Sequence, residues 1–278
     1  MKIAYLGPAG TFTGQAAGIM FPEDDLIPAS DIDGVFEMLE DGLCDAGVVP
    51  IENSTEGAVN ATLDALLRGE NINIAALLSI PIRHNLLVPK GAAHIKKILA
   101  HPQALAQCRK YIRRNFPSVE LVHCASNGEA AAKVAKSSEN LAAIGPLAAA
   151  AEYGLDIYAE GIQDVAVNST SFVQIKKAKH SSALDEPEPK ENCRTSIAFV
   201  TKNTPGALYH MLGILNSHNI NMTKILSRPM PKKPGEYVFF VDIEDYDIRD
   251  AKTALALMQE SSTMYKFLGS YSIFPYRC

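Results

Sequence analysis

The stretch Pro50-Ile51-Glu52-Asn53-Ser54-Thr55-Glu56-Gly57 decides how this chain is read. It follows an apolar, strand-like run, Ala46 to Val49, and precedes a helical pattern that begins near Ala58. Polar and turn-forming residues crowded at a strand's carboxyl end are where open α/β sheets place ligands. The same residues also suit an ordinary capped loop, with Ser54 or Thr55 as the cap and Glu56 favouring the helix dipole. Upstream, Ile3 to Leu6 reads as a strand, with helices predicted from about Thr13 and over Ile32 to Glu40. Downstream the rhythm repeats. Strands are predicted at Ile95 to Leu99, Val119 to His123 and Leu141 to Ile144, with helices after Pro102 and over Asn127 to Lys136. Strands alternating with helices build parallel sheets, so the fold class is α/β with two similar lobes.

Between the two series lies Ala76 to Val88, apolar except for Pro81 and Arg83-His84, which reads as a crossover from one lobe to the next. Asp164 to Lys177 then returns, giving two linking strands about which a cleft can open and close. The two-lobed domain is expected over residues 1–178, with lobe one at 1–76 plus 164–178 and lobe two at 77–163. A polar, Pro-containing linker follows at 179–192. Beyond it, residues 193–278 show strands at Ser196 to Val200, Ile220 to Ile225, Tyr237 to Ile243 and Phe267 to Ile273. Helices open near Pro205 and run over Ile248 to Gln259. This βαββαβ order is the α+β ferredoxin-like pattern, whose open sheet edges favour pairing with a second copy.

Composition narrows the function. A chain of 278 residues, 47% hydrophobic, can bury more than one core. No window approaches the roughly 20 apolar residues of a membrane span. No export signal precedes Ile3. The five cysteines are odd in number, widely spread and form no Cys-x-x-Cys pair, which points to a reducing, cytoplasmic setting without metal or redox chemistry. A net charge of −5 argues against nucleic acid and for a small-molecule ligand.

Two further segments share the polar, turn-forming character of residues 50–57. Gly7-Pro8-Ala9-Gly10-Thr11-Phe12-Thr13 follows the first strand; it is a βα turn or an anion-binding helix start, with Thr13 able to cap. Asn168-Ser169-Thr170-Ser171-Phe172 follows Val165-Ala166-Val167 and is either a solvated turn or a pocket wall.

Together with His101-Pro102-Gln103-Ala104-Leu105-Ala106-Gln107-Cys108, these segments resemble, in order and over essentially the whole chain, the signatures of the prephenate dehydratase family. Pro205-Gly206-Ala207-Leu208 and Ser227-Arg228-Pro229 are similar to the paired motifs of the ACT regulatory domain. The resemblance implies a two-lobed, type 2 periplasmic-binding-protein-like catalytic domain, a C-terminal ACT domain and a homodimer or homotetramer. It implies decarboxylative dehydration of prephenate to phenylpyruvate, inhibited by L-phenylalanine, with no cofactor or metal. Because the chain begins at the dehydratase strand, the chorismate mutase fused to some relatives is not expected.

By the same resemblance Thr170 carries the key role, hydrogen-bonding the leaving oxygen, with Asn53, Ser54 and Thr11 as cleft partners. Phe12, Glu52, Asn168, Ser171 and Phe172 complete the substrate set. His101 is either a helix start or a substrate contact, and Glu52 and Glu56 would act as acids only if buried. The chain departs from the family where Arg normally follows the threonine: Ser171 lacks the charge and the planar fork that grip a carboxylate. Arg83, His84 or Lys90 would then supply charge or lie solvated at the surface, and a changed pocket would suit arogenate. In the tail, Gly206, Ala207, Leu208, Asn219, Asn221, Met222 and Ser227 are the phenylalanine set. Leu226 replaces the usual Glu, which weakens that response or simply fills a strand position. The rivals are a non-catalytic two-lobed ligand-binding protein and a catalytically silent regulator.

Overall fold

The computed structural model describes residues 1–92, 94–137, 139–165, 167–178, 193–230, 235–244, 246 and 248–275. The linker expected at 179–192 lies outside the described residues. Internal contacts divide the chain into two compact units, Met1–Thr62 with Ser79–Phe172, and Leu63–Leu78 with Val173–Cys278.

The first unit opens with β1 (Lys2–Leu6), α1 (Phe12–Met20), β2 (Asp25–Ala29), α2 (Ile32–Glu40), β3 (Ala46–Asn53) and the two-residue β4 (Gly57–Ala58). Helix α3 (Asn60–Arg68) and β5 (Ile72–Pro81) follow, and the division between the units falls within both. The chain continues through β6 (Asn85–Val88), β7 (Lys97–Ala100), α4 (Pro102–Gln107), α5 (Arg109–Asn115), β8 (Glu120–His123), α6 (Asn127–Lys136) and β9 (Leu141–Gly145). It closes with α7 (Leu147–Tyr153), β10 (Asp156–Ala159) and β11 (Ser169–Lys177), which the division between the units also crosses, after Phe172.

Strand β1 lies between β2 and β3, parallel to both. Its apolar Ile3, Ala4 and Tyr5 are buried, as are Ala16 and Ala17 of α1 and Val35, Phe36 and Leu39 of α2. The second lobe has the order β10-β6-β9-β7-β8, parallel among β9, β7 and β8 and antiparallel at β10 and β6. Both faces of this sheet are covered: Ile98 and Ile144 meet α4 and α5 residues, while Leu99 and Ala143 meet Ala130, Ala131 and Val134 of α6. The two crossing segments run side by side, with Ile82 N donating to Asn168 O at 2.8 Å and the Ser79 and Ser171 hydroxyls 2.7 Å apart.

Three local expectations are corrected. The cap of α1 is Thr11, whose Oγ1 accepts from Gly14 N, and Thr13 is buried inside the helix. Neither Ser54 nor Thr55 caps a helix, because the chain turns through β4 before α3 starts at Asn60. The predicted helix after Pro102 is two short ones that meet at Cys108.

The second unit contains β12 (Cys193–Val200), α8 (Ala207–Ser217), β13 (Asn221–Pro229), β14 (Tyr237–Glu244), α9 (Ile248–Ser261) and β15 (Met264–Phe274), the βαββαβ order expected. The sheet order is β13-β14-β12-β15, antiparallel throughout, and β5 joins β15 in parallel at Ser272 to Phe274. Ile197, Phe199, Val241 and Ile243 of the sheet bury against Met211, Leu215, Ala254 and Met258 of the helices. Because β5 occupies the β15 side, β13 is the outer strand of this sheet among the described residues.

Candidate active site

Asn53 ends β3 and organises the loop that follows. Its Oδ1 accepts from Thr55 N (2.9 Å), Thr55 Oγ1 (2.6 Å) and Glu56 N (3.2 Å), which folds the backbone around one amide. With Oδ1 taken, Nδ2 points the other way, donating to Thr170 Oγ1 at 2.8 Å and Asn168 Oδ1 at 3.0 Å. Asn53, Asn168 and Thr170 are all buried, so these bonds are shielded from water. Ser54 stands outside this group and anchors it: its Oγ donates to Asn168 Oδ1 at 3.3 Å and accepts from Ser169 N at 3.0 Å. Asn53→Asp removes both Nδ2 donations and sets a carboxylate against Asn168 Oδ1. It should cost about 1–3 kcal/mol in stability, read by denaturant unfolding, and turnover should fall with it.

The direction of these bonds matters. Thr170 Oγ1 accepts from Asn53, and its own proton has no acceptor among the described residues. Thr170 lines a cleft of about 250 Å³ together with Thr11, Phe12, Asn53, His84, His101, Gln107, Asn127, Asn168 and Phe172. Among the described residues the lining has no Lys, Arg, Asp or Glu. Positive potential comes instead from helix ends. Thr11 caps α1 and Ser126 caps α6, each accepting from a backbone N–H, and both face the cleft. His101 caps α4 through Nδ1, which accepts from Gln103 N at 3.3 Å, and it also lines the cleft. Burial pushes the Cys108 thiol up to about 12, which keeps it protonated and removes it as a nucleophile.

Of the residues singled out in the sequence, Thr11, Phe12, Asn53, Asn168, Thr170 and Phe172 line the cleft, and Glu52, Ser54 and Ser171 do not. Strand alternation explains Ser171: Thr170 and Phe172 face the cleft, so Ser171 points away and meets Ser79. Ser171→Ala should therefore leave kcat/KM within about threefold of the parent, and a larger loss would place Ser171 at the substrate. Glu56 is exposed, as are Arg83 and Lys90, whereas His84 is buried at 2% exposure. Sequence reasoning passed over Gln107, Ser126 and Asn127 as site residues. The only available signal was Gln107's place in the His101 to Cys108 motif.

In the second unit, Gly206 (φ +82°) opens α8 ahead of Ala207 and Leu208. Asn219 (φ +53°), Asn221 and Met222 lie past its other end, and Ser227 is exposed further along β13. An 11-residue helix is about 16 Å long, so the groups at its two ends do not meet one small ligand within a single chain. Leu226 is half-buried opposite Phe240.

These features define a two-lobed α/β cleft protein with a ferredoxin-like C-terminal domain. A profile of prephenate dehydratase matches residues 3–180, and one of the ACT domain matches residues 195–253. The chain belongs to the prephenate dehydratase family. It is 37% identical to the prephenate dehydratase of Lactococcus lactis subsp. cremoris, covering 99% of this chain and 98% of that one. It is 40% identical to the bifunctional chorismate mutase/prephenate dehydratase of Aquifex aeolicus, covering 98% of this chain and 73% of that one. The structure of prephenate dehydratase from Arthrobacter aurescens in complex with L-Phe superposes with a TM-score of 0.86 at 33% identity, covering 98% of this chain and 90% of that one. Among the described residues, no helix is long and apolar enough to cross a membrane.

Proposed function

We propose that this chain converts prephenate to phenylpyruvate, with residues 1–178 as the catalytic domain, residues 193–278 as the regulatory one and the cytosol as its setting. The observation that carries the reading is the polarity of the Asn53–Thr170 bond. Asn53 fills a lone pair of Thr170 Oγ1 and turns the hydroxyl proton outward as a donor. In the reaction, the bond from the ring to its carboxylate breaks and releases carbon dioxide. That electron pair enters the ring and expels the hydroxyl as hydroxide, and a proton converts it to water. Aromatisation drives these steps, and the protein's task is to stabilise charge building on the departing oxygen. Thr170 donates to that oxygen, while the N-termini of α1 and α6 offer backbone N–H groups to the two carboxylates.

Arogenate carries an ammonium group where prephenate has a ketone, and the described lining offers no carboxylate to pair with it. Prephenate is therefore the favoured substrate. Incubating the purified protein separately with prephenate and with arogenate tests this. Phenylpyruvate from the first and little phenylalanine from the second is the expected result, and the reverse would overturn it.

The C-terminal domain supports feedback inhibition by L-phenylalanine. The two groups of the phenylalanine set stand at opposite ends of α8, and β13 is an outer strand open to pairing, so a homo-oligomer that sets the α8 start of one chain beside the Asn219 to Met222 segment of another would complete the sensing site. Arg228 follows Ser227 in this motif and grips Asp64 of α3 with two bonds, at 2.6 and 3.2 Å. Helix α3 in turn follows the Asn53 loop in the chain. Arg228→Ala should leave basal turnover within about twofold yet reduce inhibition by phenylalanine at least about fivefold. Unchanged inhibition in that variant would remove Arg228 from the coupling route.

A further inference from the structure

His84 lines the cleft, and the reaction outlined above gives it no role. Its side chain is 2% exposed, its ring packs edge-on against Phe12 with centroids 5.6 Å apart, and its backbone N donates to Gln163 Oε1 at 2.9 Å. Nε2 lies 2.9 Å from Gln107 Oε1, while Nδ1 is buried and has no partner among the described residues. A carbonyl oxygen only accepts, so Nε2 carries the proton and Nδ1 is bare. Gln107 Oε1 also accepts from Asn168 Nδ2 at 3.2 Å. Both donors therefore converge on one end of the Gln107 amide. Its other end, Nε2, has no partner among the described residues, and Gln107 lines the cleft.

We infer that His84 is a positioning residue: held as the Nε2–H tautomer, it locks the Gln107 side chain so that the amide N–H₂ is presented to the substrate. An amide is nearly symmetric in shape, and rotation by 180° would present its oxygen to a dianionic substrate instead. With Asn168 alone on Oε1, one hydrogen bond opposes that rotation; with His84 there are two. Burial, which holds the imidazole below its usual pKa, keeps it neutral and its tautomer fixed. The Phe12 ring keeps it from swinging into the cleft.

The kinetic half of the test rests on the proposed dehydratase reading, and the spectroscopic half does not. Nitrogen-15 spectra of the histidine-labelled protein at neutral pH, assigned by comparison with His84→Leu, should show His84 wholly protonated at Nε2. Protonation at Nδ1 would overturn the inference whatever the substrate. His84→Leu should lower kcat on prephenate about 10- to 100-fold. His84→Gln, whose amide N–H₂ reaches the place of Nε2, should recover to within about threefold of the parent. In a Gln107→Leu background the His84→Leu substitution should have little further effect, because it acts through a side chain no longer present. Fully additive losses, or a glutamine variant as poor as the leucine one, would show that His84 merely fills space.

Discussion

Thr170→Val is expected to lower kcat on prephenate by about 10²- to 10⁴-fold while the protein remains folded. Valine keeps the branched shape on β11 and removes only the hydroxyl, so the neighbouring Phe172 and Val173 keep their packing. Asn53 Nδ2 retains Asn168 Oδ1 as an acceptor at 3.0 Å, and Oδ1 keeps the three bonds that hold its loop. The stability cost should thus be near 1 kcal/mol, read by denaturant unfolding. What disappears is the hydroxyl proton, which the bond accepted from Asn53 leaves available for donation to a substrate. Thr170→Ser keeps that proton on a side chain with more rotamer freedom and should recover activity to within about tenfold of the parent. Turnover by the valine variant within threefold of wild type would remove Thr170 from the chemistry.

Gly128→Val should reduce kcat/KM by about 100-fold through a different cause, loss of closure between the lobes. Gly128 sits in the first turn of α6, beside the cleft residues Ser126 and Asn127. A Cβ built there would stand 2.6 Å from Ala9 O, 3.1 Å from Pro8 Cγ and 3.2 Å from Thr11 Cγ2. The first of these is backbone, which no rotamer change relieves. Tyr153 Oη donates to the same Ala9 oxygen at 2.9 Å, so the turn is clamped from α7 as well. A larger side chain must push the turn after β1 away from α6, separating Thr11 from Ser126 and letting water into the cleft. Each lobe keeps its own core, so the melting temperature should fall by only a few degrees. An unaltered kcat/KM for the valine variant would show that closure at this contact is not needed.

Much of the architecture was legible because it rests on local pattern. The runs Ile3 to Leu6, Ala46 to Val49 and Leu141 to Ile144 are too apolar to be anything but buried, and each is a strand in a sheet. Helices α2 and α6 carry a cap residue and an apolar stripe, and both were placed at their observed bounds. The missed elements lack such signals. Strand β2 (Asp25–Ala29) carries Pro28 at a sheet edge, β10 (Asp156–Ala159) is a four-residue edge strand, and the Ala-rich α7 has no polar face to show its period.

The site divides along the same line. The sequence by itself determined the family, the βαββαβ tail and the polar loops at strand ends, and the resemblance to that family supplied the candidates Asn53, Asn168 and Thr170, because all of these reside in contiguous motifs. Only the tertiary structure decided that Thr170 accepts from Asn53, that Ser171 turns away to Ser79, and that Gln107 and His84 meet in the cleft wall. Asn53 and Thr170 are 117 positions apart and His84 and Gln107 are 23 apart. Which end of an amide donates, and which face of a strand meets the ligand, follow from the partners that folding brings together. No local pattern records those partners.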